Sequence, residues 1–129
     1  MILLDTHVLI WLAFEPVRLS KAAREAIRES TRTGGLGVSA ITLWEAAWLV
    51  THRRVDFTGT ADAFLEEISS RTAVFPITKQ IALLANQLPA TYSRDPSDRL
   101  IGATAMSEGI ALITKDRSIR NFKQIKTTW

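Results

Sequence analysis

Four acidic residues stand where a carboxylate could do chemistry. Asp5 directly follows the apolar run Ile2-Leu3-Leu4, and Glu45 sits between Trp44 and Ala46 in an apolar stretch. Asp98 closes Asp95-Pro96-Ser97-Asp98, and Asp116 comes just after the run Ile110 to Ile113. Clustered carboxylates repel one another, and some keep their protons unless a cation offsets the charge. The usual cation is a hard divalent ion held by oxygen ligands. Mg2+ or Mn2+ held by acids and water suits phosphate chemistry, because the ion acidifies a bound water, polarises a phosphoryl group and steadies a leaving oxygen. Zinc held by histidine and cysteine is disfavoured: the chain has two histidines, His7 and His52, and no cysteine. No Ser-His-Asp pattern stands out. Gly34, Gly35 and Gly37 precede or enter a strand, which is the wrong context for a phosphate loop.

Each acid also has an ordinary structural explanation. Asp5 and Asp116 follow strands, where acids often cap the next helix. Thr42-Leu43-Trp44-Glu45 matches a capping box. With Ser39 as the cap instead, Glu45 lies nearly two turns into the helix and has no capping duty. Asp95 is a good cap, Pro96 suits the first helical position, and Asp98 suits the first turn electrostatically. His7 fits a packed or capping histidine as well as a general base. Capping explains the acids singly, but not why four of them fall at matching places in the topology.

The elements that position them alternate. Ile2 to Leu4 reads as a buried strand without polar alternation, in the manner of a parallel sheet covered on both faces. A helix is predicted from His7 to Phe14, with Asp5 or Thr6 as cap and Glu15-Pro16 as its end. Ser20 caps a helix from Lys21 to about Thr31, broken at Gly34-Gly35. Leu36 to Val38 is a second strand, and the helix after Ser39 runs out near His52. A loop from Val55 to Thr60 leads to a helix through Phe64 and Ile68, then a third strand in Ala73-Val74-Phe75-Pro76-Ile77, ending at the proline. Thr78 caps a helix stopped by Pro89, and Asp95 opens a helix that ends at Gly109. Ile110 to Ile113 is the fourth strand, a short basic loop follows, and Gln124 to Thr128 is the last. The alternation indicates one α/β domain over residues 1–129 with a parallel sheet. In such sheets ligands bind at the carboxyl edge of the strands, where Asp5 and Asp116 fall.

Composition sets the wider limits. The chain has 129 residues, enough to bury a core without staples. Sixteen Lys and Arg against 13 Asp and Glu give a net charge of +3, compatible with a polyanionic partner. No secretory signal and no membrane-length apolar run is visible, so a soluble cytoplasmic protein is expected. The helix bearing Ile41, Leu43, Trp44, Ala47, Trp48 and Leu49 has too many apolar residues for one narrow stripe, and is buried on several sides or shared with a partner.

Asp5-Thr6, Glu45 within Trp44-Glu45, Asp98 within Asp95-Pro96-Ser97-Asp98-Arg99-Leu100-Ile101-Gly102-Ala103-Thr104-Ala105, and Asp116 within Leu112-Ile113-Thr114-Lys115-Asp116 together resemble the PIN-domain ribonucleases. More narrowly, the chain is similar to the toxins of VapBC-type toxin–antitoxin pairs, and the similarity covers essentially its whole length. The resemblance implies a three-layer sandwich with about five parallel strands in the order 3-2-1-4-5. It implies Mg2+- or Mn2+-dependent hydrolysis of RNA, transfer RNA being one candidate target. Asp5 and Asp98 would be direct metal ligands, and Glu45 and Asp116 would act directly or through water. Thr6 and Thr114 match positions whose hydroxyls order the carboxylates. The implied partners are a cognate VapB-type antitoxin and a second copy of the chain in a homodimer that assembles further with the antitoxin. Arg99, Lys115 and Arg117, with Arg94, Arg120 and Lys123 near them, are candidates for holding substrate phosphates. A related nuclease acting on DNA, and a non-catalytic module binding RNA or protein, are the alternatives.

Overall fold

The computed structural model describes residues 1–129. Its strands are β1 (Ile2–Leu4), β2 (Leu36–Ser39), β3 (Ala73–Phe75), β4 (Leu112–Ile113) and β5 (Thr127–Thr128), and they form one sheet in the order β3-β2-β1-β4-β5. Every neighbouring pair is parallel, with Leu3 opposite Gly37 on one side and Leu112 on the other. The helices are α1 (Thr6–Phe14), α2 (Lys21–Thr33), α3 (Ala40–Thr51), α4 (Ala61–Arg71), α5 (Lys79–Gln87), α6 (Pro96–Glu108) and the short α7 (Arg117–Arg120). The class and strand order are those expected from the sequence.

The absence of alternation in β1 has the anticipated cause. Leu3 and Leu4 are both fully buried, and they face opposite layers. Leu4 packs with Val8, Ile27, Phe64 and Ile113 under α1, α2 and α4. Leu3 packs with Tyr92, Ile101, Leu112 and Ile119 under α6 and α7. Each buried leucine contributes roughly 2 kcal/mol, and together they tie the central strand into both layers. Helix α5 lies outside α6, with Ile81 and Ala85 against Ala103. Ser20, Thr60 and Thr78 cap α2, α4 and α5 by accepting from the amides of Ala23, Ala63 and Ile81.

Several boundaries differ from the sequence expectation, each for a local reason. β3 ends at Phe75, because Pro76 has no N–H for the ladder. β4 starts at Leu112 instead of Ile110, because the Ile110 amide donates back to Ala105 and closes α6 over left-handed Gly109. β5 shortens to Thr127–Thr128, since Ile125 is held in a turn onto Phe122. The basic loop after Asp116 is helix α7, whose start is made by the Asp116 carboxylate. A single 3-10 turn at Pro16–Arg18, not foreseen, joins α1 to α2.

Candidate active site

Asp5 continues β1 toward β4, its amide donating to the Ile113 carbonyl at 3.1 Å. It occupies the cap position of α1, and its carbonyl accepts from Leu9, but its side chain makes no capping bond. The carboxylate turns instead toward β4 and accepts from the Thr114 hydroxyl at 2.7 Å. Asp5 is only 6% exposed. The same Thr114 oxygen accepts from the Asp116 amide at 3.1 Å, so one buried hydroxyl fixes the carboxylate of one acid and the backbone of another.

Glu45 is likewise released from capping. Ser39 caps α3 by accepting from the Ile41 amide, which removes the capping-box reading. The Glu45 Oε1 accepts from the Thr6 hydroxyl at 2.6 Å. Thr6 Oγ1 also lies 2.9 Å from Thr42 Oγ1. A hydroxyl has a single proton to give. With the Thr6 proton on the carboxylate, the Thr42 hydroxyl donates to Thr6. Thr6 and Thr42 are both buried, so this relay is shielded from water.

Asp98 stands in the first turn of α6, where Asp95 does the capping: Asp95 Oδ1 accepts from the amides of Ser97 and Asp98 at 2.8 and 3.1 Å. That leaves the Asp98 side chain to accept from the Ser93 hydroxyl at 2.6 Å. Tyr92, buried beneath it, donates to the Asp98 carbonyl at 3.0 Å. Gly102 makes room for that ring, because a Cβ there would overlap the Tyr92 hydroxyl. For Asp116 the capping explanation holds: Oδ1 accepts from Ser118 N, Ser118 Oγ and Ile119 N. Asp116 is exposed, and all three of its bonds fall on one oxygen.

Three of the four carboxyls hold their protons more tightly than usual. Burial pushes the Asp98 carboxyl up to about 6, against the Ser93 hydrogen bond and helped by repulsion from Asp5, Asp95 and Asp116. Burial also raises Asp5 against the Thr114 bond and the charge of His7, with Asp116 adding repulsion. Burial raises Glu45 against the Thr6 bond, with Asp5 and Asp95 adding repulsion. These acids therefore sense one another across elements remote in sequence. No three His, Cys, Asp or Glu side chains are drawn into a closed metal cage. The donor set is nonetheless all oxygen, anionic, and short of positive charge. Such a set fits a hard divalent ion that keeps several waters, and fits zinc poorly.

The other sequence candidates divide. Thr6 donates to Glu45 and Thr114 to Asp5. Arg99 is a correction: its guanidinium donates to the carbonyls of Ala85, Ser93 and Leu88. It clamps the α5–α6 connection, and those donors are not available for a phosphate. Lys115 and Arg117 are exposed, and the Lys115 ammonium lies 5.8 Å from the centre of the Trp11 ring. His7 is exposed and packs its ring 6.0 Å from Trp11. Sequence reasoning missed Thr42, Ser93 and Tyr92 as parts of the site. The only signal for Ser93 was a hydroxyl in the loop before Asp95, and that marks many loops.

The chain matches the PIN domain family over residues 2–125. It is 38% identical over 130 residues to Ribonuclease VapC22 of Mycobacterium tuberculosis, covering 99% of this chain and 98% of that protein. Two solved structures share the fold. VapBC2 from Rickettsia felis bound to a DNA fragment from its promoter has a TM-score of 0.75 at 16% identity, covering 98% of this chain and 97% of the matched one. DNA-bound VapBC from Salmonella typhimurium has a TM-score of 0.69 at 24% identity, with 98% and 97% covered.

Proposed function

This chain belongs to the PIN-domain family, and on that footing we propose that it is a metal-dependent endoribonuclease toxin with Asp5, Glu45, Asp98 and Asp116 as its acidic centre. The observation that carries the reading is the release of Asp5, Glu45 and Asp98 from capping. Ser39 and Asp95 cap α3 and α6, α1 starts without a side-chain cap, and each carboxylate is aimed by a hydroxyl, from Thr114, Thr6 and Ser93. Carboxylates that served only as caps would need none of these.

In this reading Asp5 and Asp98 would hold Mg2+ or Mn2+ directly, and Glu45 and Asp116 would act directly or through water. The ion supplies an acidified water and a polarised phosphoryl group when bound. Hydrolysis joins a water oxygen to phosphorus, breaks one P–O ester bond and returns a proton to the leaving oxygen. To Glu45 we assign acceptance of the proton from the attacking water. Its raised proton affinity supports that role, and the Thr6–Thr42 relay fixes its orientation. Thr114 keeps Asp5 and Asp116 in register, so that the two charges stay at a constant separation as substrate arrives.

The named relative is a ribonuclease, and the structural neighbours are toxin–antitoxin complexes. These support RNA as substrate, transfer RNA being the first to test, and a VapB-type antitoxin as the neutralising partner. They also support action in the cytoplasm; no helix is long and apolar enough to cross a membrane. A homodimer through α3 is part of the same reading, supported by the 62% exposure of Trp44 on an otherwise apolar helix. The deciding experiment is Asp5→Asn. Loss of RNA cleavage and of growth arrest is expected, with a melting temperature no lower than that of the wild-type chain. Equal cleavage by both chains, or cleavage undiminished in excess chelator, would reject the proposal.

A further inference from the structure

Next to Asp116, a polar cleft of about 700 Å³ lies between α7 and β5. Arg117, Arg120 and Lys123 line it, with Thr127, Thr128 and the Trp129 ring opposite. No acidic side chain contributes to its walls. The ion pairs of the chain are Glu15–Arg18, Glu29–Arg32 and Glu67–Arg71, so none of the three cleft cations is neutralised by a carboxylate. Three like charges converging without an acid repel one another, and a helix as short as α7 gains nothing from that. Their arrangement therefore asks for an anion. β5 is the sheet's edge strand, and its two threonine hydroxyls add donors that no side chain or backbone group in the chain engages. Trp129 is held in place by its contact with Trp11, at 5.8 Å between ring centres.

Continuity with the acids identifies the anion. Asp116 caps α7, and the next residue, Arg117, already lines the cleft. One short helix thus carries an acid of the candidate centre at its start and cations along its length. We infer that this cleft holds the sugar–phosphate backbone of single-stranded RNA next to the scissile bond. Cations that begin at the residue after Asp116 offset the repulsion that an acidic centre exerts on a polyanion. The inference rests on the nuclease reading above and adds to it where the strand runs.

The test is binding of a fluorescein-labelled single-stranded RNA oligonucleotide by the full chain carrying Asp5→Asn, which prevents turnover. Affinity is measured as salt is varied, with and without Arg120→Glu and Lys123→Glu together. Arg24→Glu with Arg28→Glu, exposed and unpaired on α2 and outside the cleft lining, changes net charge equally and serves as the control. Loss of two phosphate contacts lowers the slope of log affinity against log salt by about 1.4, at roughly 0.7 per contact for single strands. An affinity loss of about tenfold or more beyond the control is expected with it. Affinity and slope matching the control would overturn the cleft assignment, as would loss of antitoxin binding with RNA binding intact. Arg120→Gln with Lys123→Gln, which brings in no new charge, gives the same reading if the reversal unfolds the chain. Cleavage by the chain with Asp5 intact separates the two failures. If it cuts RNA while the cleft variant binds like the control, only the cleft is wrong; if it neither cuts nor binds RNA, the nuclease reading falls too.

Discussion

Replacing Asp98 by asparagine should make the metal-free protein more stable while destroying its activity. Burial raises the Asp98 carboxyl from its ordinary 3.8 to about 6. A carboxyl with a higher pKa in the folded chain binds its proton more tightly there than in the unfolded chain. Its ionisation therefore costs stability, fully above about pH 6, and that cost disappears as pH falls toward 4. A difference of roughly two pKa units corresponds to about 3 kcal/mol. Asp98 is only partly buried, and solvent screening reduces this to about 1–2 kcal/mol. For a chain of this size that is a rise in melting temperature of roughly 3–8 °C. The substituted amide keeps the size of the side chain and an oxygen to accept from Ser93. The assay is denaturant unfolding in excess chelator at pH 8, 7, 6 and 5, for wild type and Asp98→Asn. The variant should be more stable at pH 8, and the gap should close on acidification as wild type gains. Raised Asp5 and Glu45 push wild type in the same direction. A variant less stable than wild type at pH 8, or a wild type that weakens steadily from pH 8 to 6, would refute the reasoning.

Thr6→Val removes the donor to Glu45 and leaves Thr42 without its buried acceptor; a loss of about 1–3 kcal/mol with a fall in cleavage of about 10–100-fold is expected, and unchanged kinetics would deny the relay a positioning role. Gly102→Ala forces a methyl against the Tyr92 hydroxyl and should cost about 1–3 kcal/mol in denaturant unfolding; Tyr92→Phe in the same chain should recover part of it, and no recovery would place the strain elsewhere. Trp48, 39% exposed and stacked on His52 at 4.2 Å, is part of the proposed α3 interface. Trp48→Arg should shift the mass measured in solution toward monomer, and an unaltered mass would remove Trp48 from that interface.

Much of this was legible in the chain because the signals were local. Buried runs, capping residues and prolines mark the ends of most elements, and the alternation of strand and helix forces a parallel sheet. Asp5 and Asp116 were legible through their positions after strands, Glu45 as an acid within an apolar helix, and Asp98 as a second acid behind the capping Asp95. The resemblance pointed to Thr6 and Thr114, but which carboxylate each one holds could not be seen, nor could Ser93. Thr114 lies 109 residues from Asp5 and Thr6 lies 39 from Glu45, so no local pattern links them. Arg99 misled for the same reason: beside Asp98 in sequence it looks like a phosphate ligand, while its guanidinium reaches back to carbonyls as far as Ala85. The short α7 was hidden because one Asp, capping a single turn, leaves no periodicity to detect. Gly102, in the middle of a helix, has its reason only in the ring of Tyr92 packed across it.

The Asp5–Thr114 hydrogen bond has a further meaning for how the protein is made. Asp5 leaves the ribosome 109 residues ahead of the threonine that holds it. A chain cut short before residue 112 contains Asp5, Glu45 and Asp98 but lacks β4, β5, Thr114 and Asp116. It also lacks one of the two neighbours that bury β1. Incomplete products of translation are therefore inert on RNA in the proposed reading. The hazardous form exists only once β4, Thr114 and Asp116 have been made, when contacts of long sequence separation can at last close.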